Sequence, residues 1–252
     1  MQHYNTPGLS IIIPVYNENK NILTLAKKLN NIKKKIKTEI IFIDDNSNDG
    51  SIHSLKFVKK KYNTQFLIRR KKNRDLMNSC FMGIEKSKYN TCLIMDGDLQ
   101  HNPKYIPGLY KKLNSSNYDI GICCRKFNKL KNKDFNFLRK YSSLIIIFLI
   151  NIFLEKKTAD PLSGFFIFRK KIFNSFKFCY YPSGYKILLN ILYCTNIKLK
   201  SFDKIIKFDR RISNKSKMNK KILLNLAVQF FYLWYVKLFM KIIIDKTIKN
   251  IL

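Results

Sequence analysis

Over residues 9–124 the chain alternates short β-branched or apolar runs with longer segments of helical period, and this alternation restricts the fold more than any other feature. The runs at 9–15, 38–44, 65–69, 91–96 and 118–124 are separated by helical patterns near 18–32, 50–62, 76–87 and 103–114. Ile22, Leu25, Ala26 and Leu29 illustrate the spacing, returning to one side of a helix every three or four residues. Parallel strands need a crossover, usually a helix, so the pattern specifies an α/β fold with a doubly wound, mostly parallel sheet. Two further strands are expected at 163–168 and 198–206, with helices near 136–156, 170–177, 184–194 and 219–248. At 252 residues the chain can bury a sizeable core. It divides into one α/β domain, 1–218, and a C-terminal helix, 219–252.

Open α/β sheets place their ligands at the C-terminal ends of the strands, and three of these runs end in polar clusters. The run at 91–96 leads into Asp96-Gly97-Asp98-Leu99-Gln100. Two carboxylates one residue apart, with the amide oxygen of Gln100 beside them, offer a hard, all-oxygen, partly open site suited to Mg²⁺ or Mn²⁺ carrying phosphate oxygens. Gly97 lets the backbone come close. Taken alone, the Asp-Gly-Asp could equally be an acidic turn after a buried strand. Upstream, the run at 10–15 breaks at Pro14 into Tyr16-Asn17-Glu18, and the run at 40–43 ends at Ile43 before Asp44-Asp45-Asn46-Ser47. The Tyr16 ring can cover a base, and the Glu18 and Asp45 carboxylates can accept from base or ribose donors. Asp44, Asn46 and Ser47 read as cap and turn residues.

Pro14-Val15-Tyr16-Asn17-Glu18, Asp44-Asp45-Asn46-Ser47, Asp96-Gly97-Asp98-Leu99-Gln100 and Asp160-Pro161-Leu162-Ser163-Gly164-Phe165 together resemble the family 2 glycosyltransferases of the GT-A fold. The likeness is greatest to the polyprenyl-phosphate (dolichyl-phosphate) mannosyl- and glucosyltransferase branch, and it runs in unbroken order over about 9–218. Four motifs in the right order are far more specific than any one. The resemblance implies inverting transfer of a hexose from a GDP- or UDP-sugar to a polyprenyl phosphate, with Mg²⁺ or Mn²⁺ held by Asp96, Asp98 and Gln100. It implies donor contacts from Pro14, Tyr16, Glu18, Ile43 and Asp45, from Asp96, Gly97 and Asp98, and from the phosphate-binding cations Arg125, Arg211 and Lys217. Asp98, Arg125 and Asp160 are the residues it marks for catalysis.

Two departures stand out. The family's Arg-x-x-Gly-x-Ser-Lys reads here Arg211-Ile212-Ser213-Asn214-Lys215-Ser216-Lys217, where Asn tolerates the left-handed conformation that Gly would supply. Arg210 could substitute for Arg211. After the third strand, Arg74-Asp75-Leu76 stands where Gly is common, and Asp75 is expected to cap the helix that follows. On the acceptor side, Gly184-Tyr185-Lys186 resembles the family's flanking segment, and Lys186 could meet a lipid phosphate. His101 is expected to be structural, since Gln100 takes the ligand place in the family.

The net charge of +33, from 49 Lys and Arg against 16 Asp and Glu, needs a partner or a compositional cause. Lysines accompany abundant Asn and Ile throughout, which fits a bias of the source. Nucleic acid fits less well, because the basic residues form no single stripe and no helix-turn-helix, zinc-finger or RNP pattern occurs. An anionic membrane surface accounts for the charge with less strain. Apolar segments suit that reading: residues 144–154 are too short to span and read as a buried or interfacial helix, whereas 222–244, rich in aromatics, read as an amphipathic helix in the headgroup region. A single tilted span is the alternative for the second. Core packing is the bland account of both.

Six cysteines without C-x-x-C spacing suggest neither a disulfide framework nor a zinc site. Residues 1–10 lack a basic stretch followed by an apolar one, so a peripheral position on the cytoplasmic face of a membrane is expected. Two other functions stay open: a transferase acting on a sugar or protein hydroxyl, with Asp160 as general base, and a basic nucleic-acid-associated protein without catalysis.

Overall fold

The computed structural model describes residues 7–125, 137–175, 180–195, 198–209 and 220–249. Strands β1 (Leu9–Val15), β2 (Thr38–Asp44), β3 (Gln65–Ile68), β4 (Thr91–Ile94), β5 (Ile120–Arg125), β6 (Phe166–Arg169) and β7 (Ser201–Ile206) form one sheet in the order β3-β2-β1-β4-β6-β5-β7. Helices α1 (Asn19–Lys33), α2 (Ser51–Tyr62), α3 (Leu76–Lys86) and α4 (Ile106–Ser115) alternate with the first five strands. They are followed by α5 (Phe137–Phe153), α6 (Lys170–Ser175), α7 (Ile187–Tyr193) and α8 (Lys220–Lys249).

Side-chain alternation along β1 and β2 divides the core between the two faces of this sheet. Ile11, Ile13 and Val15 of β1, with Ile40 and Phe42 of β2, pack against Leu25 and Leu29 of α1, Leu55 of α2 and Leu109 of α4. Ile12, Ile41 and Ile43 face the other way, toward Met77, Cys80 and Ile84 of α3 and, beyond them, α5 to α8. Near-continuous apolar runs are what a strand covered on both faces requires.

β1, β2, β3 and β4 run parallel, with Leu9 opposite both Thr38 and Thr91. β6 is antiparallel to β4 and to β5, while β5 and β7 are parallel. The C-terminal ends of β1, β2, β4 and β5 therefore share one edge with the N-terminal end of β6. The chain leaves β1 toward β2 and β3 and then returns to place β4 on the other side of β1. That reversal is the topological switch point where such sheets open a crevice.

β6 starts at Phe166, later than expected, because Asp160 to Gly164 form a turn rather than strand. α7 likewise starts at Ile187, leaving 184–186 as a loop with Gly184 at φ +133°. The five described cysteines are buried.

α8 departs from the amphipathic expectation. Leu226, Phe230 and Leu233 are buried in one cluster with Ile147, Ile150 and Leu154, so the helix belongs to the same core as α5. Its outer side is apolar too, exposing Leu224, Val228, Phe231, Tyr235, Leu238 and Phe239. Ile145, Phe148 and Ile152 of α5 are also exposed. Residues Ile222–Phe239 are apolar and long enough to cross a membrane by length and composition, at a mean hydropathy of 1.5.

Candidate active site

The crevice at the switch point is a cavity lined by Pro14 and Val15 of β1 with Tyr16 and Glu18 just after it, by Asp45 after β2, and by Asp96, Gly97 and Asp98 after β4. Arg74, Leu76 and Ser79 around the start of α3 form one wall, and Ser163, Gly164, Tyr185, Lys186 and Ile187 another. Ile222 of α8 reaches the same cavity.

At the β1–β2 end the turn residues act as caps. Ser47 N–H donates to Asp44 Oδ2 at 2.9 Å, Asn17 N–H donates to Ser47 Oγ at 2.8 Å, and Asn46 takes the left-handed conformation. Glu18 is buried, its Oε2 accepting from Asn21 Nδ2 at 2.6 Å. Asp45 accepts from the Arg69 guanidinium on one oxygen and from Asp75 N–H at 2.7 Å on the other. Both Asp45 and Arg69 are buried, so each charge depends on the other. Asp75 caps α3 as expected, accepting from Asn78 N–H at 3.0 Å.

Two residues that sequence reasoning missed are thus part of this end. Arg69 ends β3, 24 positions from its partner, and no local pattern links it to Asp45. The guanidinium carbon of Arg74 lies over the Tyr16 ring, 3.8 Å from its centroid, and Arg74 Nε is buried without a hydrogen-bond partner. The only sequence hint was that Arg74-Asp75-Leu76 stands where Gly is common. One face of Tyr16 is accordingly covered by a cation before any base arrives.

The carboxylate pair is built on β4. Asp96 is half-exposed toward the cavity, while Asp98 is buried and accepts from Gln100 N–H at 3.1 Å. His101 is buried; its Nδ1 accepts from Asp96 N–H at 3.0 Å, leaving Nε2 facing Asp96 Oδ2 at 3.8 Å. Burial lowers the His101 pKa against the opposing pull of Asp96 and Asp98. The ring stacks on Phe165 and meets Phe208 edge-on. Cys80 lies beneath, its thiol pKa pushed well up by burial and then by the charges of Asp96, Asp75 and Asp45.

Glycine is required twice. A Cβ on Gly97 would stand 2.8 Å from Val15 Cγ1, and one on Gly164 would stand 2.6 Å from Asp96 Oδ2. The space that Gly164 leaves is therefore the space the carboxylate needs. Among the described residues no cluster of three His, Cys, Asp or Glu side chains forms a closed metal site. Two carboxylates with an open side fit Mg²⁺ or Mn²⁺, ions that keep several positions for water or phosphate oxygens. Gln100, half-buried, is not among the cavity-lining residues.

Arg125 and Asp160 stand together and are not among the cavity-lining residues. Arg125 Nε and Nη2 donate to Asp160 Oδ2 and Oδ1 at 2.8 and 2.9 Å, and Asp160 is fully buried. Burial works to lower the Arg125 pKa, but the hydrogen bond and charge of Asp160 carry it upward. Ile43 is also brought elsewhere: its side chain is fully buried in the core against Gly83, not in the cavity. Arg210, Arg211 and Lys217 lie outside the described residues. The chain just before them is pinned to the carboxylate loop, with Asp209 N–H donating to Gln100 O at 2.9 Å and Asn102 Nδ2 donating to Asp209 Oδ2 at 3.0 Å.

A doubly wound sheet with one reversed strand, opening at its switch point onto paired carboxylates, is the architecture of a GT-A glycosyltransferase. Glucosyl-3-phosphoglycerate synthase from Mycobacterium tuberculosis, solved with phosphoglyceric acid, superposes at a TM-score of 0.68 and 12% identity, covering 90% of this chain and 80% of that one. The same enzyme solved with Mn²⁺, uridine diphosphate and glucosyl-3-phosphoglycerate superposes at 0.66 with 14% identity, covering 89% and 77%. The sequence profile described as Glycosyl transferase family 2 matches residues 10–176, and the chain belongs to that family.

Among curated relatives, the dolichol-phosphate mannosyltransferase of Pyrococcus furiosus is 33% identical over 186 residues, 73% of this chain and 52% of that protein. The chain thus matches about half the length of that relative. The Saccharomyces cerevisiae protein of the same name is 30% identical over 193 residues, 73% of this chain and 69% of its own length.

Proposed function

We propose that the chain transfers a hexose, mannose or glucose, from a GDP- or UDP-sugar to a polyprenyl phosphate, with inversion and with Mg²⁺ or Mn²⁺, at the cytoplasmic face of a membrane. The observation that carries this reading is the condition of Asp160. A sugar or protein hydroxyl acceptor calls for a general base within hydrogen-bond reach. Asp160 is fully buried, is not among the cavity-lining residues, and has both oxygens bonded to Arg125. A phosphate monoester, whose second pKa is about 6, arrives already ionised and needs no base. The names of the curated relatives support the same acceptor. Clustered carboxylates at Asp45, Asp96 and Asp98 weigh against a nucleic-acid partner for this cavity.

In this mechanism Tyr16, backed by Arg74, and Asp45, backed by Arg69, form the base end of the donor site. Asp96 and Asp98 would hold the metal, with Gly164 keeping the space around Asp96 open. A divalent cation bound there would neutralise the charge that builds on the departing diphosphate. Lys186, at the opposite wall, offers its ammonium to the acceptor phosphate. An acceptor oxygen attacks the anomeric carbon from the face opposite the diphosphate. One C–O bond forms as the other breaks, so a single inversion results and no enzyme nucleophile is needed. The exposed apolar sides of α5 and α8 face the lipid.

The test is transfer from radiolabelled GDP-mannose and UDP-glucose to undecaprenyl phosphate, beside a panel of free sugar hydroxyls. Label in the lipid fraction is expected. Label only in the hydroxyl acceptors would overturn the reading.

A further inference from the structure

α8 buries one amide inside its apolar stretch: Gln229 is 1% exposed. A helix serving only as anchor or core would be better filled by leucine, because a buried amide is costly unless it is paired. Gln229 is paired. Its Nε2 donates to the Lys186 carbonyl at 3.0 Å and reaches Asn190 Oδ1 at 3.3 Å. Asn190, fully buried, donates in turn from Nδ2 to Tyr181 O at 3.0 Å.

The same short loop is held from the opposite side. Gly184 N–H donates to Asp75 Oδ1 at 3.3 Å, Met77 N–H donates to Gly184 O at 3.0 Å, and Asn78 Nδ2 donates to Pro182 O at 3.1 Å. The loop over 181–186 is therefore tied to α7 and α8 on one flank and to the first turn of α3 on the other. Lys186 lines the cavity from within it, its Nζ donating to Leu162 O at 2.7 Å. Asp75, which also binds Asp45, joins this loop to the base end of the site.

We infer that Gln229 is a positioning residue: by holding the Lys186 carbonyl it keeps the 181–186 loop against α3, so that the seating of α8 sets the affinity for the acceptor. For the acceptor's identity the inference rests on the lipid-phosphate reading; for the clamp it does not. Donor affinity, set at the β1, β2 and β4 ends, is independent of Gln229.

The experiment compares the full chain with Gln229→Met, which keeps the volume and removes both hydrogen bonds. Hydrogen exchange over 181–187, read by mass spectrometry, should quicken about ten-fold, while the segments of β1, β2 and β4 exchange as before. With undecaprenyl phosphate the acceptor KM should rise about ten-fold, with kcat and the affinity for the nucleoside diphosphate within about two-fold. Unchanged exchange over 181–187, or equal acceleration throughout the sheet, would overturn the clamp. Faster exchange in a protein whose wild type gives no sugar to any polyprenyl phosphate would uphold the clamp and overturn the acceptor reading. Should Gln229→Met fail to fold, Asn78→Ala, which frees the loop at Pro182 from outside the core, decides on the same exchange readout, with a smaller acceleration expected.

Discussion

The guanidinium of Arg125 takes both carboxylate oxygens of Asp160, at 2.8 and 2.9 Å, and that fully buried side chain is not among the cavity-lining residues. Two residues that the motifs mark for catalysis are thus first of all partners of each other, 35 positions apart in sequence. Asp160→Asn should lower stability by about 3 kcal/mol, the usual result of stripping one charge from a buried pair. Activity should fall with it, without a new rise at alkaline pH. Denaturant melts and a pH–rate profile check both, and steep alkaline rescue would restore Asp160 as a base.

Asp98 is buried, accepts from Gln100 N–H and lines the cavity, where its carboxylate is placed to take part in holding a cation. Asp98→Asn should abolish transfer with little change in melting temperature, and EDTA should do the same to the wild type. Full turnover in chelator would remove metal from the mechanism.

Gly164→Ala offers a subtler probe of the same pair, since the new Cβ would press on Asp96 Oδ2 at 2.6 Å. Displacing a metal-holding carboxylate in this way should weaken Mn²⁺ binding about 10- to 100-fold. Calorimetric titration of Mn²⁺ in the presence of nucleoside diphosphate measures this directly.

Arg69 and Arg74 should separate cleanly. Arg69→Ala leaves Asp45 buried without its counter-charge and should cost about 3–5 kcal/mol of stability. Arg74→Ala removes a half-buried guanidinium from the Tyr16 ring and should cost the fold about 1 kcal/mol. Its larger effect should be on affinity for the nucleoside diphosphate. Unchanged nucleotide affinity in Arg74→Ala would exclude it from the donor site.

Deleting 219–252 is expected to destabilise the whole domain, because Leu226, Phe230 and Leu233 leave the core with it. Replacing Val228, Phe231, Tyr235 and Phe239 by serine changes only the exposed side. That variant should keep its melting temperature and lose co-sedimentation with anionic vesicles. Carbonate and high salt then distinguish a helix lying in the interface, which they extract in part, from one that spans.

Much of the architecture was legible because its causes are local. The first five strands read as short, nearly continuous apolar runs and α1 to α4 as apolar residues every three or four positions, and the change between the two patterns marks the boundaries to within a few residues. Tyr16, Glu18, Asp45, Asp96 and Asp98 were legible for a related reason: a parallel sheet has one ligand-binding edge, so polar residues closing β1, β2 and β4 converge on it. The reversed β6 was not legible, since a strand's direction depends on its neighbours and not on its own residues.

The sequence by itself determined the class of fold, the edge where the site lies and the residue types gathered there, because backbone periodicity and strand order follow from short-range rules. Only the tertiary structure decided the pairings: Arg69 with Asp45, Arg74 on Tyr16, Arg125 over Asp160, and Gln229 beneath Lys186. It also moved Ile43 into the core and made α8 part of the domain rather than an appendage. Charges and amides taken out of water must find partners wherever the packing brings them, and those partners lie 24 to 58 positions away along the chain, beyond the reach of any local pattern.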